Sequence, residues 1–190
     1  MTGVWVFVCG PSGAGKDSVM ASAQQALSQH QNIVFSRRLV TRAGQDGSNH
    51  DAVSESELLS MLQTGGLQWH WQAHGFHYGI GRRYAADVQA GRLVVVNGSR
   101  AHVASLAPSP ALRVVQITAN AAALAARLTQ RGRDTPAAIA ERLIRNPGFT
   151  SHQSDCTISN NAEVEAASRC LVDYLLSLQR ATASDSTTAT

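Results

Sequence analysis

A short apolar run that ends in a glycine-rich turn and a lysine restricts this chain more than any other stretch. Val4 to Cys9 read Val-Trp-Val-Phe-Val-Cys, which suits a strand buried on both faces of a parallel sheet. Gly10-Pro11-Ser12-Gly13-Ala14-Gly15-Lys16 then matches the phosphate-loop pattern G-x-x-x-x-G-K. The glycines permit turns that a side chain would block, so backbone amides can point at phosphate oxygens. Lys16, expected to face solvent, adds a point charge for the β- and γ-phosphates. The helix that starts there adds its positive N-terminal end. A chance glycine-rich turn is the alternative, but the loop follows an apolar strand and precedes a helical stretch, as the motif requires.

One position departs from the pattern. Ser or Thr should follow the lysine and hold magnesium through its hydroxyl; here Asp17 comes first and Ser18 second. A carboxylate beside a triphosphate is repelled unless a divalent cation lies between them, and Asp is a good hard-oxygen ligand for magnesium. Asp17 and Ser18 are therefore the candidate metal ligands. The strand Leu93–Val96 ends in neutral Asn97, so Asp17 can stand in for a carboxylate missing from the strand end. The alternative is that Asp17 caps the helix or pairs with Lys16.

At 190 residues and 44% hydrophobic, the chain suits one domain with a real core and small inserted lobes. A net charge of +3 suits anionic substrates and is too weak to argue for nucleic acid. Cys9, Cys156 and Cys170 are odd in number and scattered, against a disulfide framework or a zinc site. Neither a signal peptide nor a membrane span is legible, and a cytoplasmic protein is expected.

Strand and helix patterns alternate along the chain. A helix is expected over 16–30 and a strand over 33–41, with a loop at 43–49. Ser54 and Glu57 form a capping-box pattern that opens a helix to about Leu62. A hairpin is expected over 67–80, turning at 73–75, followed by a helix over 82–90. Strands at 93–96, 112–118 and 156–159 follow, with helices at 120–131, 135–145 and 164–179. The tail 181–190 is small and polar and reads as disordered. The fold class is α/β: a P-loop parallel sheet flanked by helices, of the doubly wound kind.

Two arginine groups suit phosphoryl transfer. Arg131 and Arg133, with Arg142 and Arg145, could form a mobile arm whose guanidiniums neutralise the moving phosphoryl group; a solvated helix face is the alternative. Arg37, Arg38 and Arg42 surround a strand end and suit a doubly charged anion, against ordinary surface charge. Trp69, Trp71 and Phe76 read as lobe core, and one of His70, His74 and His77 could touch substrate.

Together these residues resemble the guanylate kinase family of P-loop kinases, over nearly the whole chain. Gly10–Lys16 is similar to that family's loop, Val40-Thr41-Arg42 to its Thr-Thr-Arg, Tyr78-Gly79 to its Tyr-Gly, and Arg127-Leu128 through Arg131-Gly132 with Arg142-Leu143 to its lid. Ile158-Ser159-Asn160 resembles the strand end near the adenine. The departures point to a branch. Asn97-Gly98-Ser99 stands where the family carries Asp-x-Asp, and Trp69 where it carries the base-contacting Glu. The phosphate-contacting Tyr is replaced within Ser48–Asp51, and the second arginine after Thr-Thr-Arg is absent. Gly15–Ser18, Asn49-His50, Gly75–Gly81, Val96–His102 and Arg131–Arg133 resemble instead the ribose 1,5-bisphosphate phosphokinase branch, of phosphonate breakdown.

That resemblance implies an ATP-dependent kinase with magnesium, making 5-phosphoribosyl 1-diphosphate. It implies a core of 1–32, 82–125 and 148–180, an acceptor lobe of 33–81 and a lid of 126–147. Gly10 to Ser18 and Asn160 would bind the nucleotide. Arg38, Arg42, His50, Tyr78, Asn97, Ser99 and Arg100 would bind the sugar bisphosphate, and Lys16, Arg131, Arg133 and Arg142 would act in the transfer. A homodimer is left open; no nucleic acid or membrane partner is expected. A nucleoside monophosphate kinase and a non-catalytic guanylate kinase-like module are the rival readings.

Overall fold

The computed structural model describes residues 2–44, 49–73, 75–130 and 154–187. The strand Val4–Cys9 (β1) is buried along its whole length. Side chains alternate across a strand, so β1 feeds two separate cores. Val4, Val6 and Val8 pack with Val19, Met20 and Ala23 of the helix Lys16–Ala26 (α1) and with Leu171 and Leu175 of the final helix. Trp5, Phe7 and Cys9 pack on the other face with Tyr84, Val88, Val103, Trp71 and Tyr78. A strand apolar on both faces can only sit mid-sheet with a layer on each side.

That sheet is parallel and runs β2-β7-β1-β8-β9, where β2 is Ile33–Phe35, β7 is Leu93–Asn97, β8 is Leu112–Thr118 and β9 is Cys156–Ser159. A second, mixed sheet holds β3 (Arg38–Val40), β4 (His50–Ala52), β5 (Leu67–Ala73) and β6 (Phe76–Gly81) in the order β4-β3-β6-β5. The helices Glu55–Gln63 (α2), Arg83–Gln89 (α3), Arg100–Ser105 (α4), Ala121–Gln130 (α5) and Val164–Thr187 (α6) complete the described elements. Ser54 accepts from the Glu57 amide and Glu57 accepts from the Ser54 amide, so the expected capping box is formed.

The segment expected as one strand over 33–41 is two. Ser36 donates twice to the Val95 carbonyl, from its amide at 2.9 Å and its hydroxyl at 3.0 Å, and the Arg37 amide donates to the Tyr84 hydroxyl at 2.9 Å. These bonds end β2 in the core sheet and turn the chain into β3 of the second sheet. Residues 33–35 thus belong to the core rather than to the lobe. The short strand β4 and helix α4 have too few residues to show a period, and sequence patterning missed both. The final helix does not stop near Gln179 as expected; it continues to Thr187, with neither Gly nor Pro to end it. The expected helix over 135–145 lies outside the described residues.

The second sheet leans on the core through rings. Trp71 of β5 stacks on Tyr78 of β6 at 5.5 Å and on His102 of α4 at 4.6 Å, while Trp69 meets Trp5, Phe7 and His102 edge-on. Trp69 and Trp71 are thus lobe core, as expected from sequence. Burial pushes the His102 imidazole down to about 4 from its ordinary 6.5, with His70 adding to the effect. As pH falls below 6.5 the unfolded chain takes up this proton and the folded chain does not until about 4, so stability falls with pH across that window. His50 and His70 are shifted the same way. Replacing His102 by Leu is expected to lower the pH slope of unfolding free energy between these limits by up to about 1.4 kcal/mol per pH unit. Denaturant titrations at several pH values read this directly, and an unchanged slope would mean that folded His102 protonates as readily as unfolded.

Candidate active site

The strands of the core sheet end along one edge, where an open α/β sheet takes its ligands. Val8 pairs with Asn97, and the Gly98 amide donates to the Val8 carbonyl at 2.9 Å. On the other flank the Asn160 amide donates to the Thr118 carbonyl at 2.8 Å. The loop Gly10–Gly15 leaves β1 between these two flanks. A Cβ on Gly10 would lie 2.2 Å from the Ile117 carbonyl oxygen. Gly15 has φ +77 and a Cβ there would lie 2.5 Å from the Asn160 amide nitrogen, so neither site admits another residue. No side chain caps α1 at Gly15, and a helix N-terminus favours an anion.

Asn160, expected to bind nucleotide, first of all holds the loop. It is 1% exposed; its Nδ2 donates to the Ala14 carbonyl at 2.8 Å, and its backbone oxygen accepts from Arg127 Nη1 at 2.9 Å. A cleft of about 260 Å³ opens beside it, lined by Gly15, Ser18, Arg127, Gln130, Asn160 and Val164. Arg127 was matched only to the lid, and Gln130 was not among the expected site residues. The helical spacing of Arg127 to Arg131 is the signal that could have found them.

Lys16 does not face solvent as the sequence suggested: its side chain is only 17% exposed and lies 3.7 Å from Asp17 Oδ1. Asp17 Oδ1 also accepts from Asn97 Nδ2 at 2.5 Å and lies 3.9 Å from Arg38 Nη2. The two expected metal ligands part company. Successive helix residues project about 100° apart; Asp17 faces β7 and the second sheet, while Ser18 lines the cleft. Among the described residues no group of three or more His, Cys, Asp or Glu side chains could hold a metal alone. One carboxylate beside a phosphate loop still fits magnesium, which takes most of its ligands from phosphates and water.

The expected acceptor residues converge only in part. Arg38 and His50 are register partners on β3 and β4, and Val40 pairs with Tyr78. The Arg38 guanidinium lies 5.8 Å from the Tyr78 ring centre, and its Nε is buried without a hydrogen-bond partner. Burial lowers the Arg38 pKa and Asp17 opposes the shift. Burial, then Arg42, then Arg38 lower that of His50, whose buried Nε2 also lacks a partner. Arg42 is exposed, 5.9 Å from the Phe76 ring centre. Arg100 is half-buried, and the Cys9 thiol at the end of β1 feels both it and Lys16. The Ser99 hydroxyl caps α4, accepting from the His102 amide at 3.1 Å, so its oxygen serves the fold first. His70 and His77 pair with each other at 2.9 Å. Arg131, Arg133 and Arg142 lie outside the described residues.

No family model matches the chain. It is 41% identical over 175 residues to the ribose 1,5-bisphosphate phosphokinase PhnN of Acidiphilium cryptum, covering 92% of this chain and 93% of that one. It is 43% identical over 168 residues to a bifunctional ribose 1,5-bisphosphokinase-thymidine phosphorylase of Azorhizobium caulinodans; the match covers 87% of this chain but spans only 24% of that longer protein. In fold it is similar to guanylate kinase from Anaplasma phagocytophilum, with a TM-score of 0.70 and 19% identity over 94% of this chain and 87% of that one. No described helix is long and apolar enough to cross a membrane. With a phosphate loop on a parallel sheet, an arginine-bearing second sheet beside it and a full-length relative this similar, the chain belongs to the ribose 1,5-bisphosphate phosphokinase family.

Proposed function

We propose that this chain transfers the γ-phosphoryl group of ATP to the 1-phosphate of ribose 1,5-bisphosphate, giving 5-phosphoribosyl 1-diphosphate and ADP. The observation that carries the reading is the floor of the acceptor side. Arg38 and Lys16 both approach Asp17, Arg42 lies within the electrostatic reach of Arg38, Arg100 and Lys16 both act on Cys9, and the end of β7 carries the neutral residues Asn97 and Ser99 in place of carboxylates. A purine such as guanine needs acceptors for its ring and amino N–H groups, and a site lacking them discriminates strongly. A sugar bisphosphate has no base; it needs cations for its phosphates and small polar partners for its hydroxyls.

An oxygen of the 1-phosphate attacks the γ-phosphorus as the bond to the β,γ-bridging oxygen breaks, and ADP leaves. The attacking oxygen is already ionised near neutral pH, so no general base is required. The chain's part is positioning and charge neutralisation. The loop amides and Lys16 hold the ATP phosphates, and the cleft beside Asn160 and Arg127 receives the rest of the nucleotide. Asp17 is the residue that would hold magnesium, which when bound neutralises charge on the β- and γ-phosphates; Ser18 serves the nucleotide cleft. Arg131, Arg133 and Arg142 complete the neutralisation from the segment after α5. Use of ATP and an ionised sugar phosphate fits a cytoplasmic reaction.

A coupled ADP-release assay is expected to show turnover with ribose 1,5-bisphosphate and little with GMP. The opposite preference would make the chain a guanylate kinase, which the fold likeness alone would allow. Lys16→Ala is expected to cut kcat by at least about 100-fold, as loss of one preorganised charge on a transferring group usually does. Activity within about tenfold of wild type would refute the phosphate-loop role. Arg42→Ala, at an exposed position, should raise the KM for the sugar bisphosphate roughly 10- to 100-fold and leave that for ATP within about twofold. Equal effects on both would put Arg42 outside the acceptor site.

A further inference from the structure

Asp17 touches three parts of the molecule at one oxygen. Its Oδ1 accepts from Asn97 at the end of β7, lies 3.7 Å from Lys16 of the phosphate loop, and lies 3.9 Å from Arg38 of the second sheet. Arg38 is a desolvated guanidinium, only 15% exposed in its side chain, and a buried cation needs an anion nearby. Asp17 supplies that charge. A phosphate dianion arriving at Arg38 would compete with Asp17 for the same guanidinium. A divalent cation on the Asp17 carboxylate would remove the competitor.

We propose that Asp17, oriented by Asn97, links the two substrate sites: its carboxylate holds Arg38 while no magnesium nucleotide is bound and yields it when one is, so that nucleotide binding raises affinity for the acceptor. The link rests on the functional reading above. Asn97 then has a different task from the one its place suggested. It is a positioning residue, whose amide donates to the carboxylate and whose neutrality lets the two side chains touch; a carboxylate at this position would repel Asp17 across 2.5 Å. The Asn97 Oδ1 is buried and has no hydrogen-bond partner, consistent with an amide recruited for its donor end.

Calorimetric titration of ribose 1,5-bisphosphate into the protein, with and without saturating magnesium and a non-hydrolysable ATP analogue, reads the link without turnover. In wild type the analogue is expected to tighten acceptor binding roughly 5- to 50-fold. In Asp17→Asn, an isosteric change, acceptor binding without nucleotide should tighten several-fold and the analogue's effect shrink to about twofold or less. Asn97→Ala should likewise shrink the ratio between acceptor affinities measured with and without the analogue. A sugar ligand at Asn97 would instead weaken binding equally in both states, and that outcome overturns its positioning role. Wild-type coupling retained in Asp17→Asn overturns the link, as does acceptor binding by wild type that ignores the analogue. A wild-type protein that binds no ribose 1,5-bisphosphate even at millimolar concentration overturns the functional reading itself, and the link with it.

Discussion

Burial of β1 on both faces is the constraint on which the remaining architecture hangs. Six consecutive residues with no polar side chain cannot meet water on either side, so the strand must lie mid-sheet beneath two layers. Its neighbours β7 and β8 are parallel to it, so all three end at one edge. The phosphate loop must leave from that edge, and the residues that follow β7 and β9 must flank it. Gly10 against Ile117 and Gly15 against Asn160 show how little room remains once this packing is set.

The loop is braced from behind by Asn160 and Arg127 and flanked in front by a cluster of charged groups. Behind it, the Asn160 amide satisfies the Ala14 carbonyl, and Arg127 satisfies Asn160. In front, Asp17 stands among Asn97, Lys16 and Arg38. At this junction one carboxylate is set against two cations, which leaves net positive charge for an incoming phosphate. Small changes in occupancy there are felt on both sides of the junction.

The aromatic stack of Tyr78, Trp71 and His102 gives the second sheet its footing on the core. The stack sets where β3 carries Arg38 and where β6 carries Tyr78. The placement of the expected acceptor residues therefore depends on how these rings pack. Neutral His102 fits this place because burial there disfavours its charged form.

The sequence by itself determined the α/β class, the strand–loop–helix at 4–18, the capping box at Ser54, the hairpin over 67–80 and most strands of the core sheet. Each has a local cause: an apolar run, glycines at fixed spacing, a serine three residues before a glutamate. It also marked Arg38, Arg42, Asn97 and the phosphate loop, because residue type and spacing carry that chemistry. What it did not show is which marked groups meet. The break between β2 and β3 comes from bonds of Ser36 and Arg37 to Val95 and Tyr84, residues far along the chain. The parting of Ser18 from Asp17, the partial burial of Lys16 and the contact of Asn97 with Asp17 across eighty positions arise the same way. Only tertiary structure could decide these, because burial and partnership are properties of the neighbours a side chain acquires on folding, and the local pattern does not encode them.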